Sequence, residues 1–399
     1  MRIIKGGVTA AKGFKAAGVS CGIKQSGKKD MAVIYSEQLS SAAALFTSNA
    51  LAAAPVRISR NHAASGKVHA IVANSGNANA CTGEQGISDA IAMAQIAGEE
   101  LAVDPHQVIV ASTGIIGVPL AMEKIRLGIR EAIADLRDNG SRDAAEAIRT
   151  TDTAAKEIAV EIEIGGKRIA VGGIAKGAGM IAPNLATMLS FVTSDAAVDP
   201  SLLKQCLKHS VDNSFNMITV DGEMSTNDTV VLLANGASGV KISTGSPGAA
   251  EFQEALDYVC SELARMIVKD GEGATKFIEI AVEKAKRAED ARRIALSIAN
   301  SNLVKTAFFG EDANWGRIMA AVGGAGIAVD PDKIDVFLGS EQVVSSGQGS
   351  IFCVETVSRA LKAPEIKVRV SLNVGKAEAK VWTTDLSYEY VKINAHYRT

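Results

Sequence analysis

Short hydrophobic runs that alternate with Gly/Ala-rich turns along the first 120 residues predict β-strands. One amphipathic helix is predicted near Ser88 to Leu101, and a second from Ala121 to the helix-ending pair Asn139-Gly140. The predicted strands are MAVIYS (31–36), APVRIS (54–59), VHAIVAN (68–74) and QVIVAST (107–113).

A β-hairpin is predicted from Ile158 to Gly173, because two alternating runs flank the turn pair Gly165-Gly166. The chain then changes character within one stretch, GGIAKGAGMIAPNLATMLSFVTSDA (172–196). Its first half is rich in glycine, and Pro183 works against a helix there. From Thr187 onward, TMLSFVTS predicts a strand.

The longest helical pattern in the chain follows. Its apolar residues recur at helical spacing on one predicted face: Phe252, Leu256, Val259, Leu263 and Ile267. Other predicted helices cover 199–215 and 291–310, and strands are predicted at 333–339, 366–375 and 376–384. The change of pattern near residue 280 predicts a separate, smaller C-terminal unit. The fold class is therefore expected to be α+β.

Composition narrows the class of protein that these elements can form. The 399 residues are 47% hydrophobic, carry a formal net charge of −2, and contain no long basic run, which argues against a nucleic-acid partner. Five scattered cysteines without a CxxC pair argue for a reducing compartment and against a structural zinc site. With no apolar run of membrane-spanning length, a cytoplasmic enzyme is expected.

The junction before Thr187 has two interpretations. A threonine hydroxyl can attack the preceding carbonyl, here that of Ala186, and the cleaved chain then carries nucleophile and amine base in one residue. The α-amino pKa of about 7.7–8.0 suits that role. The alternative is a loop that enters a buried strand. A dinucleotide-binding turn is excluded, because Pro183 and a strand follow the glycines instead of a helix.

Two polar segments are further candidates. Ser112-Thr113-Gly114 ends an apolar strand and can form an oxyanion hole or a plain turn. NSGNANACTG (74–83) can line a polar pocket or form a structural turn, and Cys81 within it fits a small apolar side chain better than a nucleophile.

Acidic residues late in the chain do not match a metal site. Their spacing fits neither a calcium loop nor a histidine-containing site; they are Asp221, Glu223, Asp228, Asp270 and Glu272. Glu272, between two glycines, can either attract a cationic ligand or remain a solvated loop carboxylate.

Taken together, these segments resemble the ornithine acetyltransferase family of arginine biosynthesis, the glutamate N-acetyltransferases. The matching motifs follow one another along nearly the whole chain: NSGNANACTG, ASTGIIG, TTDT (150–153), KGAGMIAPNLATML, VDGEMSTNDTV, DGEGATK, FFGEDANWGRI and NAHYRT. The resemblance implies an αββα sandwich like that of N-terminal-nucleophile enzymes. The implied domains are an N-terminal fragment (1–186), the start of a second fragment that completes the core (187–280), and a smaller α+β domain (281–399).

The resemblance also implies roles for individual residues. Self-cleavage between Ala186 and Thr187 would make Thr187 the acetyl-accepting nucleophile, and Thr113 with Gly114 would form the oxyanion hole. The C-terminal tail would return to the active site. The implied substrate-binding residues are Thr153, Lys176, Thr187, Glu272, Asn394 and Thr399.

The implied reaction is a ping-pong transfer from N2-acetylornithine to L-glutamate, with acetyl-CoA as a second donor in bifunctional members. No cofactor or metal is implied, and two copies of each fragment are expected to assemble. An N-terminal-nucleophile amidohydrolase or aminopeptidase, which delivers the acyl group to water, and an uncleaved small-molecule binding protein are the alternatives.

Overall fold

The computed structural model describes residues 1–182 and 188–396, which form two compact units. Unit 1 comprises Met1–Asn216 and Glu223–Ile267. Of the described residues, unit 2 comprises 217–222 and 268–396. The predicted domain ranges 1–186, 187–280 and 281–399 concern the cleaved chain and stay predictions.

Unit 1 contains a large mixed β-sheet with helices on both sides. Its strands are β1 (Arg2–Ile4), β2 (Phe14–Val19), β3 (Met31–Phe46), β4 (Lys67–Asn77), β5 (Val108–Ile115), β6 (Lys156–Ile164), β7 (Lys167–Lys176), β8 (Leu189–Ser194), β9 (Ala197–Val198), β10 (Thr229–Ala234) and β11 (Lys241–Ile242). Its helices are α1 (Ala54–Ala63), α2 (Gly83–Leu101), α3 (Met122–Ala134), α4 (Ser141–Ala147), α5 (Pro200–Asp212) and α6 (Ala249–Lys269), the last of which runs into unit 2. The strand order is β1-β6-β7-β8-β10-β3-β4-β5, while β2 pairs with β3, and β9 pairs with β11 separately.

The strands of this sheet are apolar on both faces because both faces are covered. Val72 and Val110 pack against α2 and α3, whereas their neighbours Ile71 and Ile109 share a second core with residues of β7, β8 and β10. On the far face of β7, Leu263 of α6 approaches the backbone of Gly173. The mixed sheet with helices on both faces confirms the predicted α+β class.

The predicted hairpin is confirmed and one predicted strand is wrong. β6 and β7 pair antiparallel around Gly165 and Gly166, whose φ angles of +58° and +75° suit the two-residue turn. APVRIS lies in helix α1 instead of a strand. Pro55 occupies the first helical turn, where no N–H is needed, and the buried Val56 and Ser59 lie three residues apart, as on a helix face.

Unit 2 is an α+β unit with a core of its own. Its strands are β12 (Phe277–Ala285), β13 (Asp335–Leu338), β14 (Glu341–Ser345), β15 (Gln348–Gly349), β16 (Glu365–Ser371) and β17 (Ala377–Thr384), in the order β15-β14-β13-β16-β12-β17. Its helices are α7 (Ala288–Ala299), α8 (Asn302–Phe309), α9 (Trp315–Gly323), α10 (Val354–Lys362) and α11 (Tyr388–His396). The single helix predicted at 291–310 is two, because the Ser301 side chain caps α8 by accepting from the Val304 N–H.

In the described part of the chain, no helix is both long enough and apolar enough to cross a membrane.

Candidate active site

The carboxyl ends of β4 and β5 approach each other at two glycines. These strands run parallel, with Ser75 opposite Thr113 and Gly76 opposite Gly114. Gly114 has a φ of +133°, and a Cβ atom built on it would lie 2.4 Å from the carbonyl carbon of Gly76. Position 114 therefore requires glycine both for its backbone conformation and for the close approach of the two strands.

Buried amide side chains hold this strand end in place. Ser112 Oγ donates to Asn74 Oδ1 at 2.6 Å, and Asn227 Nδ2 donates to the carbonyl oxygens of Ser112 and Ala78 at 2.8 and 2.6 Å. Asn77 Nδ2 donates to the Val118 carbonyl oxygen at 3.0 Å. The first half of NSGNANACTG thus ends β4 and fixes the strand bearing Thr113 and Gly114, whereas Cys81, Thr82 and Gly83 at its end line a cavity.

Lys176, the last residue of β7, reaches the same strand end. Its side chain is 2% exposed, and its Nζ donates to Thr113 Oγ1 at 3.3 Å. Since the lysine supplies that proton, the Thr113 hydroxyl keeps its own proton for another acceptor. The structure therefore brings together two predicted site residues that lie 63 positions apart in the sequence.

Asp152 anchors the lysines of this region. It accepts hydrogen bonds from Lys156 Nζ at 2.6 Å and from the Gly177 N–H at 2.7 Å. Burial alone would raise the pKa of the Asp152 carboxyl, but the cations Lys156 and Lys176 and these hydrogen bonds hold it below its usual range. The next residue, Thr153, is exposed. Asp152 thus links Lys156 to the main chain that follows Lys176.

Asp228 lies fully buried at the start of β10. Its Oδ1 accepts the Met188 N–H at 2.8 Å, while Oδ2 is buried with no hydrogen-bond partner among the described residues. Burial raises the pKa of Asp228 well above its ordinary value, although the Met188 N–H and the charge of Lys176 act in the opposite direction. The carboxyl therefore fixes the main chain immediately after residue 187.

The pH dependence of stability should report the raised pKa of Asp228. A carboxyl whose folded-state pKa exceeds its unfolded value stabilises the fold when protonated, so stability falls as pH rises from the ordinary carboxyl pKa through the folded value. Asp228→Asn keeps an oxygen acceptor for Met188 but cannot ionise. The difference in melting temperature between Asp228→Asn and the parent should therefore shift in the variant's favour from pH 4 to pH 8. A constant difference would contradict this prediction.

In unit 2, the C-terminal tail lies against the loop that carries Glu272. Asn394 Nδ2 donates to Glu272 Oε2 at 2.8 Å, and Ser387 Oγ donates to the Gly273 carbonyl oxygen at 2.6 Å. The buried carboxylate of Asp385 accepts the Thr275 N–H at 2.9 Å. Glu272 is therefore not an isolated loop carboxylate, since it is hydrogen-bonded to a second predicted site residue, Asn394.

Three predicted site residues, Ala186, Thr187 and Thr399, lie outside the described residues. Within residues 1–182 and 188–396, no group of three or more His, Cys, Asp or Glu side chains is placed to hold a metal ion. Sequence reasoning missed Asp152 and Asn227 as site-forming residues. Asp152 stands in the motif TTDT beside Thr153, and Asn227 stands in the motif VDGEMSTNDTV, so membership of these motifs was the available signal.

The chain is similar to known proteins over nearly its whole length. The ArgJ family model matches residues 15–399. The "Arginine biosynthesis bifunctional protein ArgJ" of Symbiobacterium thermophilum is 50% identical over 402 residues, and that of Caldanaerobacter subterraneus subsp. tengcongensis is 51% identical over 404 residues. Each alignment covers 100% of this chain and 100% of the relative.

A solved structure shows the same likeness over part of the chain. It is the crystal structure of the arginine biosynthesis bifunctional protein argJ from Bacillus halodurans, 42% identical, with a TM-score of 0.52. The match covers 53% of this chain and 100% of the solved chain. The protein therefore belongs to the ArgJ family.

Proposed function

We propose that this protein is a self-cleaving glutamate N-acetyltransferase that moves the acetyl group of N2-acetylornithine to L-glutamate through an acetyl-Thr187 intermediate. The observation that carries this proposal is the strand end at Thr113 and Gly114, with Lys176 hydrogen-bonded to the Thr113 hydroxyl. The Thr113 hydroxyl and the backbone N–H groups of this strand end are donors of the kind that stabilise a tetrahedral oxyanion. Membership of the ArgJ family supports the substrates.

Maturation is an intramolecular acyl shift followed by hydrolysis. Thr187 Oγ attacks the carbonyl carbon of Ala186, and the peptide C–N bond breaks as the nitrogen takes up the proton. Water then hydrolyses the resulting ester, which regenerates the hydroxyl and leaves Thr187 with a free α-amino group. That amine, with an ordinary pKa of about 7.7–8.0, is the base for the transfer reaction.

Acetyl transfer then follows in two half-reactions. Thr187 Oγ attacks the acetyl carbonyl of N2-acetylornithine, its own amine takes the hydroxyl proton, and Thr113 with Gly114 stabilises the oxyanion. The proton passes to the departing nitrogen, and ornithine leaves. The amine of glutamate attacks the acetyl ester, releasing N-acetylglutamate and restoring Thr187.

The proposed substrate contacts pair charged groups of the substrates with side chains of opposite charge. Lys176 binds the α-carboxylate that both amino acids share, and Glu272 attracts the side-chain ammonium of ornithine. The pairing of Asn394 with Glu272 supports a role for both residues in the same recognition. Thr153 and Thr399 complete the proposed contacts.

The word "bifunctional" in the relatives' names supports a second acetyl donor. We extend the proposal to acetyl-CoA, which would acetylate Thr187 in place of N2-acetylornithine. Incubation with acetyl-CoA and glutamate, without N2-acetylornithine, should then yield N-acetylglutamate. Absence of product, with the ornithine-dependent reaction intact, would restrict the protein to one donor.

Denaturing electrophoresis and an acceptor assay test the main proposal. The 41.4 kDa chain should run as two bands of about 19 and 22 kDa, in proportion to residues 1–186 and 187–399 of the 399. With N2-acetylornithine and glutamate, the acetyl group should appear on glutamate. One intact band would contradict self-cleavage, whereas release of free acetate at the same rate with and without glutamate would indicate an amidohydrolase. The native mass should correspond to two copies of each fragment.

A further inference from the structure

Lys24 lies on the loop between β2 and β3, and this loop is held in one conformation. The buried carboxylate of Asp30 accepts the N–H groups of Cys21 and Lys24 at 2.7 and 2.9 Å. Lys24 Nζ donates to the carbonyl oxygen of Lys29 at 2.7 Å. The ammonium group is therefore positioned by the loop itself, through a neutral carbonyl and not through a carboxylate.

The stem of Lys24 packs against the strand end of the proposed oxyanion hole. Gly76 has a φ of +97°, and a Cβ atom built there would lie 3.1 Å from Lys24 Cγ. On its other side, Gly76 is the residue that a Cβ at Gly114 would strike. A single glycine thus separates the stem of Lys24 from Gly114.

The surroundings of Lys24 are rich in positive charge. Burial is the main cause that lowers the pKa of Lys24 to about 8, and the cations Arg149 and Lys176 lower it further. The carboxylates of Asp30 and Asp152 act in the opposite direction. Among the described residues, Lys24 Nζ forms no ion pair with either carboxylate, because Asp30 accepts main-chain N–H groups and Asp152 accepts a hydrogen bond from Lys156.

Arg149 strengthens this excess of positive charge. Its Nη2 donates to the main-chain carbonyl oxygen of Asp152 at 2.6 Å, and its buried Nε has no hydrogen-bond partner among the described residues. Since the described residues give this guanidinium only a neutral carbonyl as acceptor, its charge is available to an anion. Two of these cations therefore reach the strand end of Thr113 and Gly114, Lys24 through its stem at Gly76 and Lys176 through its ammonium group at Thr113, while the charge of Arg149 acts on Lys24.

We propose that Lys24 is a specificity-determining residue that favours glutamate as the acetyl acceptor. This inference rests on the proposed function. Both substrates carry an α-carboxylate, but N2-acetylornithine has a side-chain ammonium where glutamate has a second carboxylate. An additional cation near the reacting centre lowers the energy of the dicarboxylate more than that of the donor.

The test separates the two half-reactions in Lys24→Met, which keeps the apolar stem against Gly76 and removes the charge. The KM for glutamate should rise about tenfold, and this increase should shrink at high salt because the lost interaction is electrostatic. Ornithine release in the first turnover with N2-acetylornithine should change less than about twofold. Lys24→Arg should restore most of the affinity for glutamate.

Lys28→Met is the matched control, because it removes the same charge from an exposed position of the same loop. It should leave both half-reactions unchanged. The inference is overturned if Lys24→Met weakens both half-reactions equally, if Lys24→Arg fails to restore glutamate affinity, or if Lys28→Met gives the same increase in KM. Absence of acetyl transfer to glutamate in the parent protein would instead overturn the proposed function.

Discussion

Substitution of Thr187 by alanine should leave the chain as one 41.4 kDa polypeptide and reduce acetyl transfer to glutamate by at least about 10⁴-fold. The two losses have one cause, because the same hydroxyl oxygen attacks the Ala186 carbonyl during maturation and the acetyl carbonyl during turnover. Without cleavage, the α-amino base also remains locked in a peptide bond. Electrophoresis and N-acetylglutamate formation measure the two effects separately.

Thr187→Ser is the matched control for this prediction. It retains a hydroxyl and, after cleavage, an α-amine, so it should still give two fragments and measurable transfer. Comparison of thermal unfolding among the parent and both variants establishes that the alanine variant is folded. A Thr187→Ala protein that is cleaved and active would overturn the assignment of the nucleophile.

The sequence predicts a helix, strand or hairpin well when the pattern that indicates it lies within that element. The Gly165-Gly166 pair, flanked by alternating runs, identified the β6–β7 hairpin, and the apolar run after Thr187 identified β8. The five apolar positions from Phe252 to Ile267 identified α6, where all five are buried. Each of these signals depends on spacing along one element, which the sequence displays directly.

The surroundings of the site could not be predicted, because they depend on contacts between distant segments. Asn227 supports Ser112 from 115 positions away, and Lys176 meets Thr113 from 63 positions away. Asp228 was considered only as one of several acidic residues without metal spacing. Its burial, and hence its raised pKa, arises from strands packed around it, which no local pattern reveals.

For Ser112-Thr113-Gly114, too, the local sequence could not decide between two interpretations. A strand-end turn and an oxyanion hole have the same local sequence. The structure adds the close approach of Gly76 and the hydrogen bond from Lys176, contacts on which the proposed oxyanion hole rests and which the local sequence does not reveal. The family resemblance reached the same residues by a different route, through motifs that span nearly the whole chain.

Gly114→Ala should lower the kcat of acetyl transfer by about 10²- to 10³-fold, the usual cost of losing one oxyanion donor. The added Cβ would lie 2.4 Å from the carbonyl carbon of Gly76 and 2.5 Å from the Asn77 nitrogen, both backbone atoms that cannot rotate away. The two strands must therefore separate, which displaces the Gly114 N–H from the position of the developing negative charge. The kcat is measured on protein already resolved into two fragments, so slow maturation does not affect the result.

Gly117→Ala is the control for this prediction, because it introduces backbone strain without displacing the strand. Gly117 also has a positive φ, +81°, but a Cβ there meets nothing within 4 Å. Alanine at position 117 should therefore cost about 1 kcal/mol of stability with little change in kcat, because strain without a clash leaves β5 in place. If both variants lose stability but only Gly114→Ala loses kcat, the close approach at Gly76 is needed for catalysis. Equal activity of the two variants would remove Gly114 from the proposed oxyanion hole.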